Sequence, residues 1–456
     1  PYTTLFRSRV IYSYADRYLF QANIRHDGSS RFAKGYRWGT FPSFSAGWVM
    51  SEEKFMKSLN WDWLSFLKLR GSWGILGNER IGDDYFPYIA LMSFGNSLFY
   101  MADGSVVSDK TARPAILAVE DITWETTTST DFGLDANFFN NRLQFHFDYY
   151  WKQTKDMLLK IEIPYFMGYN NPNTNAGKMS THGYDIELAW NDRIGDLQYG
   201  VNVNFSDFLS KIDYMNDGEQ ISNGKIKRAG VLFNEYYGYV CDGIYQTQEE
   251  VNNSARTSTT VTVGDLKYRD ISGPDGVPDG IISPEYDRVP LGNSLPRFQY
   301  GGTFNASYKG IDFSIAFQGI GKQNSYLSTA MVQPLRDNYG SVPSIIEGKY
   351  WSPFNTAEEN LSARYPRLSN VSKSNNYATS SFWMFNGSYF RLKNLTLGYT
   401  LPETWTQKAG IDRVRFYISG SDLFCLSNFP DGWDPEMGAS SYPITTSLVM
   451  GLQVNF

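Results

Sequence analysis

Cysteine is nearly absent from this chain of 456 residues: only Cys241 and Cys425 occur, far apart in sequence. A disulfide-stapled secreted scaffold is therefore excluded, although two thiols still permit one bridge in an oxidising compartment. Histidine is scarcer than in most enzymes, with His26, His146 and His182 isolated from one another and from cysteine, so neither a zinc site nor a Cys/His nucleophile is indicated. No nucleophile elbow is present. Runs of Lys and Arg are also missing, and with a formal net charge of −6 nothing would gather a phosphate backbone, so nucleic acid is not an expected partner. Finally, no stretch approaches the roughly 18 apolar residues of a spanning helix. That last absence does not exclude a membrane, because a transmembrane strand needs only about ten residues with every second one apolar.

Aromatic residues and glycine are abundant: 32 Tyr, 31 Phe, 12 Trp and 40 Gly. Aromatic side chains suit pleated strands and glycine suits turns, so the composition favours an all-β fold. Alternation at period two confirms the direction. Phe132, Leu134, Ala136 and Phe138 interleave with Asp131, Gly133, Asp135 and Asn137; after the turn "NNR", Leu143, Phe145, Phe147, Tyr149 and Trp151 interleave with Gln144, His146, Asp148, Tyr150 and Lys152. The pattern returns at Tyr184 to Trp190 and Leu197 to Phe205, at Tyr300 to Phe317, at Leu395 to Ile418, and in the closing "TTSLVMGLQVNF".

About thirteen such segments are expected, joined by connections that alternate between short and long. Short links include "YADRY", "FNNRL", "NDRIGD" and "YKGID"; long ones include Lys211 to Pro296 and Gly319 to Asn386. If each segment reverses direction, all long loops fall on one side. A soluble sandwich has no reason to sort its loops this way, whereas an outer-membrane barrel has short periplasmic turns and long extracellular loops. The expectation is an antiparallel transmembrane β-barrel in which Phe145, Phe147, Tyr149, Val201, Val203, Phe313 and Ile315 face lipid. Gln144, Asp148, Asn202, Asn204 and Ser314 would face the interior. A terminal strand ending on Phe456 fits the signal such barrels present for assembly, the alternative being an ordinary edge strand.

Two stretches deserve separate treatment. The opening "PYTTLFRS", Pro1 to Ser8, reads as a translated sequencing adapter and is set aside from the fold argument, leaving 9–456 as barrel. The loop "YRDISGPDGVPDGIISPEYDR" brings Asp270, Asp275, Asp279 and Asp287 close together among glycines, a composition that suits Ca²⁺. Pro274 and Pro278 interrupt the EF-hand spacing, so the bland alternative is an acidic, turn-rich loop with no cofactor. Trp351, Trp383 and Trp433 could stack on sugar rings, the alternatives being loop packing or an interfacial girdle.

The blocks "ANIRHDGSSRFAKGYRWGTFPSFSAGWVMSEEKFM", "LKLRGSWGILGNERIG", "DITWETTTSTDFGLDANFFNNRLQFHFDYYWKQTKDMLL", "VPLGNSLPRFQYGGTFNASYKGIDFSIAFQG", "SYFRLKNLTLGYTLP" and "GWDPEMG" together resemble the SusC/RagA family of TonB-dependent outer-membrane transporters. The resemblance covers nearly the whole chain after Ser8. It implies a barrel of about twenty-two strands, of which this chain would be the C-terminal part, with a plug domain and TonB-contacting segment outside it. It also implies outer-membrane lipid around the barrel, a SusD-like lipoprotein partner, energy from the TonB complex, a glycan or peptide substrate and no enzymatic activity. A siderophore or cobalamin receptor shares the barrel; a secreted carbohydrate-binding protein or glycosidase is the alternative of another class and would need a catalytic carboxylate pair, which is not identified.

Overall fold

The computed structural model describes residues 3–81, 85–216, 218–329, 332–336, 340, 342–438, 441–442 and 444–456. Thirteen strands form one sheet in chain order. They are β1 (Thr3–Tyr14), β2 (Tyr18–Ser29), β3 (Trp38–Val49), β4 (Leu64–Asn78), β5 (Glu125–Phe138), β6 (Leu143–Lys160), β7 (Asn173–Ile194), β8 (Leu197–Met215), β9 (Arg297–Tyr308), β10 (Ile311–Lys322), β11 (Tyr389–Thr400), β12 (Arg413–Ser427) and β13 (Ser447–Asn455). The registers described are all antiparallel. Pro1 and Tyr2 lie outside the described residues, while Thr3 to Ser8 pair residue by residue with Ser29 to Ile24. Among the described residues no helix is long and apolar enough to cross a membrane.

Contacts divide the chain into two units. The first holds residues 1–186, 208–220 and 228–232; the second holds 187–207, 221–227 and 233–456. In the first, a row runs across the sheet through Tyr12, Phe20, Ala46, Gly71, Phe132 and Tyr149, each opposite the next. Phe132 is 65% and Tyr12 58% exposed, so the described residues leave this row uncovered there. In the second unit Phe313, Leu397, Ile418 and Met450 make the equivalent row. Beside it run Ile311, Tyr399, Phe416 and Leu452. Met450 is 81% exposed. Period-two alternation puts these apolar side chains on one face because successive residues of a strand point oppositely.

The opposite face is polar and internally bonded. Asn202 donates from Nδ2 to Glu187 Oε1 at 2.8 Å, and Ser314 donates from Oγ to Asn305 Oδ1 at 2.7 Å. At the short-turn end of the first unit Trp61, Trp63 and Phe138 stack, with ring centroids 5.3 and 5.8 Å apart and the tryptophans exposed. Such a cluster at strand ends is where a barrel meets the membrane–water interface.

Most connections are sorted as expected, short at 15–17, 139–142, 195–196 and 309–310, long at 79–124, 216–296 and 323–388; an exception is 50–63, on the short-turn side, which is longer than 30–37 on the long-loop side. The long ones differ from the sequence reading in being folded. Residues 91–116 form a hairpin, Leu91–Tyr100 with Val106–Ile116, and Glu219–Ser222, Lys225–Arg228, Glu235–Tyr239 and Arg288–Asn293 make a four-stranded sheet. β6 and β7 also run on to Lys160 and from Asn173, further than the alternation of apolar residues extends. Backbone ladders continue there without an apolar face, because hydrogen bonding needs no particular side chain.

Candidate functional site

Three local assemblies determine what this chain can do: the polar wall of the sheet, the folded loops, and the contacts that pin loops to wall. Strands β4, β5 and β6 place Arg70, Gly133 and Asp148 directly opposite one another. Because Gly133 has no side chain, the Arg70 guanidinium passes over it to Asp148, with Nη2 donating to Oδ2 at 2.6 Å, while Nε donates to Asp135 Oδ1 at 3.1 Å. A Cβ on residue 133 would sit 2.5 Å from Arg70 Cζ. His146 Nδ1 lies 3.0 Å from Asp135, and Asp131 is 3.8 Å from Arg70. The second unit repeats the device: Asp312, Gly398 and Tyr417 are aligned, and Arg415 Nε reaches over Gly398 to Asp312 Oδ1 at 2.9 Å. Polar walls cross-linked over glycine suit a water-filled interior, whose charges would be prohibitively expensive on the lipid side.

The loops of the second unit carry their own cores. Leu327, Val332, Trp383 and Phe429 form one; Tyr239, Leu266, Tyr268 and Ile282 another; Tyr245, Val251 and Val261 a third. Asp265, fully buried, holds them together by accepting hydrogen bonds from Arg367 Nε at 2.7 Å, Ser372 Oγ at 2.8 Å, Asn376 Nδ2 at 3.0 Å and the Thr262 amide at 2.9 Å. Nothing in the sequence marks this set, because three of the four partners lie 102 to 111 residues from Asp265 and only tertiary folding brings them to it.

The three tryptophans singled out for sugar stacking serve the loop cores instead. Trp383 is fully buried, Trp351 is 9% exposed with Nε1 donating to Gln246, and Trp433 packs against the Trp383 cluster. In the first unit Phe32, Phe41, Ile81, Ile122 and Trp124 form a comparable core, which accounts for the "SSRFAKGYRWGTF" and "DITWET" stretches. In the second unit, burial against the Tyr239, Leu266, Tyr268 and Ile282 cluster pushes the Cys241 thiol up to about 11, so it stays protonated near neutrality; both cysteines are free.

In the acidic loop Asp270, Asp279 and Asp287 each hold different backbone amides. Asp287 is fully buried and accepts the amides of Ile271 and Ser283 at 2.7 Å and of Ser272 at 3.2 Å. Asp270 Oδ2 accepts the Gly280 amide at 2.6 Å and Asp279 Oδ1 accepts the Ile281 amide at 2.9 Å, while Asp275 is exposed. Among the described residues no group of three or more His, Cys, Asp or Glu side chains is placed to share an ion. Asp270 and Asp279 thus bond the loop's own backbone, with Asp275 exposed between them in sequence.

A two-faced antiparallel sheet, apolar and uncovered on one side, ion-paired on the other, with short turns at one end and long folded loops at the other, defines a transmembrane β-barrel protein. Comparison with known proteins specifies it. The family model described as "TonB dependent receptor-like, beta-barrel" matches residues 9–419. TonB-dependent receptor P3 of Formosa agariphila is 30% identical over 484 residues, covering 98% of this chain and 45% of the relative. TonB-dependent receptor SusC of Bacteroides thetaiotaomicron is 30% identical over 466 residues, covering 98% and 43%. The solved structure of the RagAB peptide transporter has the same fold, with a TM-score of 0.79 at 24% identity over 100% of this chain and 48% of that one. The chain belongs to the TonB-dependent receptor β-barrel family, in its SusC/RagA branch, and is an outer-membrane protein. It spans about half the length of the curated relatives it matches.

Proposed function

We propose that this chain is barrel wall and extracellular canopy of an importer that moves glycan or peptide fragments across the outer membrane, working with a SusD-like lipoprotein and driven by TonB through segments of the full-length protein outside this one. The observation that carries the reading is the family match over residues 9–419, together with a polar wall cross-linked over Gly133 and Gly398 that suits a hydrated conduit. The family is one of receptors, not of enzymes, and the loops supply a large rigid surface for a partner. The apolar belt faces lipid.

The test is uptake by cells that carry the full-length transporter and its neighbouring lipoprotein gene. Depletion of oligosaccharides or oligopeptides from the medium is expected to depend on both the transporter and TonB. TonB-dependent uptake of a ferric siderophore or cobalamin, with no effect on oligomers, would replace the reading with its closest alternative.

Calcium at Asp270, Asp275 and Asp279 is a separate proposal. It rests on the Asp270 Oδ1 atom, which is buried without a hydrogen-bond partner. Binding would draw on carboxylate oxygens other than Asp270 Oδ2 and Asp279 Oδ1, which the Gly280 and Ile281 amides hold. Millimolar calcium is expected to slow proteolysis between residues 270 and 287 relative to chelator. Identical digestion under both conditions would leave a loop held only by its own backbone.

A further inference from the structure

The segment between β12 and β13 contains "GWDPEMG", one of the stretches that carried the family resemblance and to which the conduit reading assigns no task. Its two glycines adopt left-handed backbone, Gly432 with φ +83° and Gly438 with φ +64°. Such conformations are natural for glycine and mark the points where a chain can turn or pivot. Between them, Asp434 closes a tight turn, its Oδ1 accepting the Glu436 amide at 2.9 Å and its carbonyl accepting the Gly438 amide at 2.9 Å.

The turn is fastened to the wall. Arg391 of β11 lies in one cross-strand row with Gln318 of β10 and Cys425 of β12, on the same face as Asp312 and Ser314, the polar face. Its residue is 3% exposed. Nη2 donates to Asp434 Oδ2 at 2.5 Å, and Nε lies 2.5 Å from Glu436 Oε1. Gln318 Nε2 donates to the other Glu436 oxygen at 3.1 Å and also reaches the Tyr389 hydroxyl at 3.3 Å. The segment's outer side is held more weakly, by Trp433 packed at the edge of the Trp383 cluster.

We propose that residues 432–438 form a strap that folds from the long-loop end onto the interior wall, latched by Arg391 and hinged at Gly432 and Gly438, and that its release uncovers the wall at Gln318, Arg391 and Cys425. Two features separate this from ordinary loop packing. Two carboxylates converge on one buried guanidinium, so most of the strap's attachment to the wall depends on a single side chain; and both ends of the attached segment are glycines in pivot conformations. An intermediate that parted the carboxylates from a still-buried Arg391 would leave an unpaired buried ion, which is costly, whereas full release returns the guanidinium and both carboxylates to water. The strap thus has two arrangements, latched and released, rather than a continuum.

The consequence for transport rests on the conduit reading, but the test does not. In the full-length transporter in its outer membrane, with Cys241→Ser so that Cys425 is the chain segment's only thiol, the rate of maleimide labelling at Cys425 reports access beneath the strap. Arg391→Met, and separately the pair Asp434→Asn with Glu436→Gln, are expected to raise that rate about tenfold, as when a minor open state becomes the major one. Both are also expected to expose Trp433 to chymotrypsin. Arg391→Lys, which keeps the charge, should fall between wild type and Arg391→Met. Heat-modifiable gel migration establishes that each variant is a folded barrel; if Arg391→Met is not, the strap double variant decides. Unchanged labelling and unchanged cleavage in a folded variant would overturn the strap.

Discussion

Arginine in place of Leu452 is expected to cost about 2 to 4 kcal/mol if the position lies near the bilayer midplane, whereas arginine in place of the adjacent Gln453 costs much less. The two residues differ in face, not in depth. Leu452 stands opposite Phe416, in the row that continues through Tyr399 to Ile311, and is 58% exposed on the apolar side. Gln453 stands opposite Arg415, on the side where Arg415 pairs with Asp312. A charge at 452 must be stripped of water or drawn along its own stem to the interface; one at 453 finds water and polar neighbours. Folding titrations of the full-length barrel into lipid vesicles measure the difference. Equal penalties at the two positions would mean that neither face of β13 meets lipid.

The second large effect is expected at Asp265. Its carboxylate is fully buried and accepts from four groups, so Asp265→Ala removes one partner of an ion pair and strands several donors at once. Breaking a buried pair in this way costs about 3 to 5 kcal/mol. The lower end applies here because 26% of the Arg367 side chain remains in water. The loss should be local. Proteolysis within residues 241–268 and 349–383 should accelerate severalfold, while heat-modifiable migration of the barrel persists, since no strand of the thirteen-stranded sheet depends on this network. Asp265→Asn, which keeps the shape and some acceptors, should lose less. A barrel that failed to assemble would show instead that canopy and wall fold as one cooperative unit.

These expectations also mark where sequence and structure part company. Period-two alternation was enough to count thirteen strands, to sort their connections by length and to assign Phe145, Phe147, Val201, Phe313 and Ile315 to one face, because a strand's side chains must alternate whatever surrounds it. It underestimates β6 and β7, whose outer ends carry no apolar stripe, and it carries no signal for the folded structure of the long connections. Their small sheet and three cores are built from contacts between residues such as Tyr239 and Ile282, or Leu327 and Phe429, that no local pattern can pair. The acidic loop illustrates the same limit at finer scale: proximity of Asp270, Asp275, Asp279 and Asp287 in sequence is legible, but whether the carboxylates converge on an ion or turn to backbone amides, as Asp270, Asp279 and Asp287 do, depends on a few backbone torsions.

What the sequence by itself determined is the barrel class, its two faces and the family, since each follows from periodicity or from long contiguous blocks. What only the tertiary structure decided is which charges are partnered. Arg70 finds Asp148 across Gly133, Arg415 finds Asp312 across Gly398, Arg367 finds Asp265, and Arg391 finds Asp434 and Glu436. The reason is physical: alternation is a property of one strand, whereas an ion pair needs two side chains from distant segments, a register that aligns them and, at two of these places, a missing side chain between.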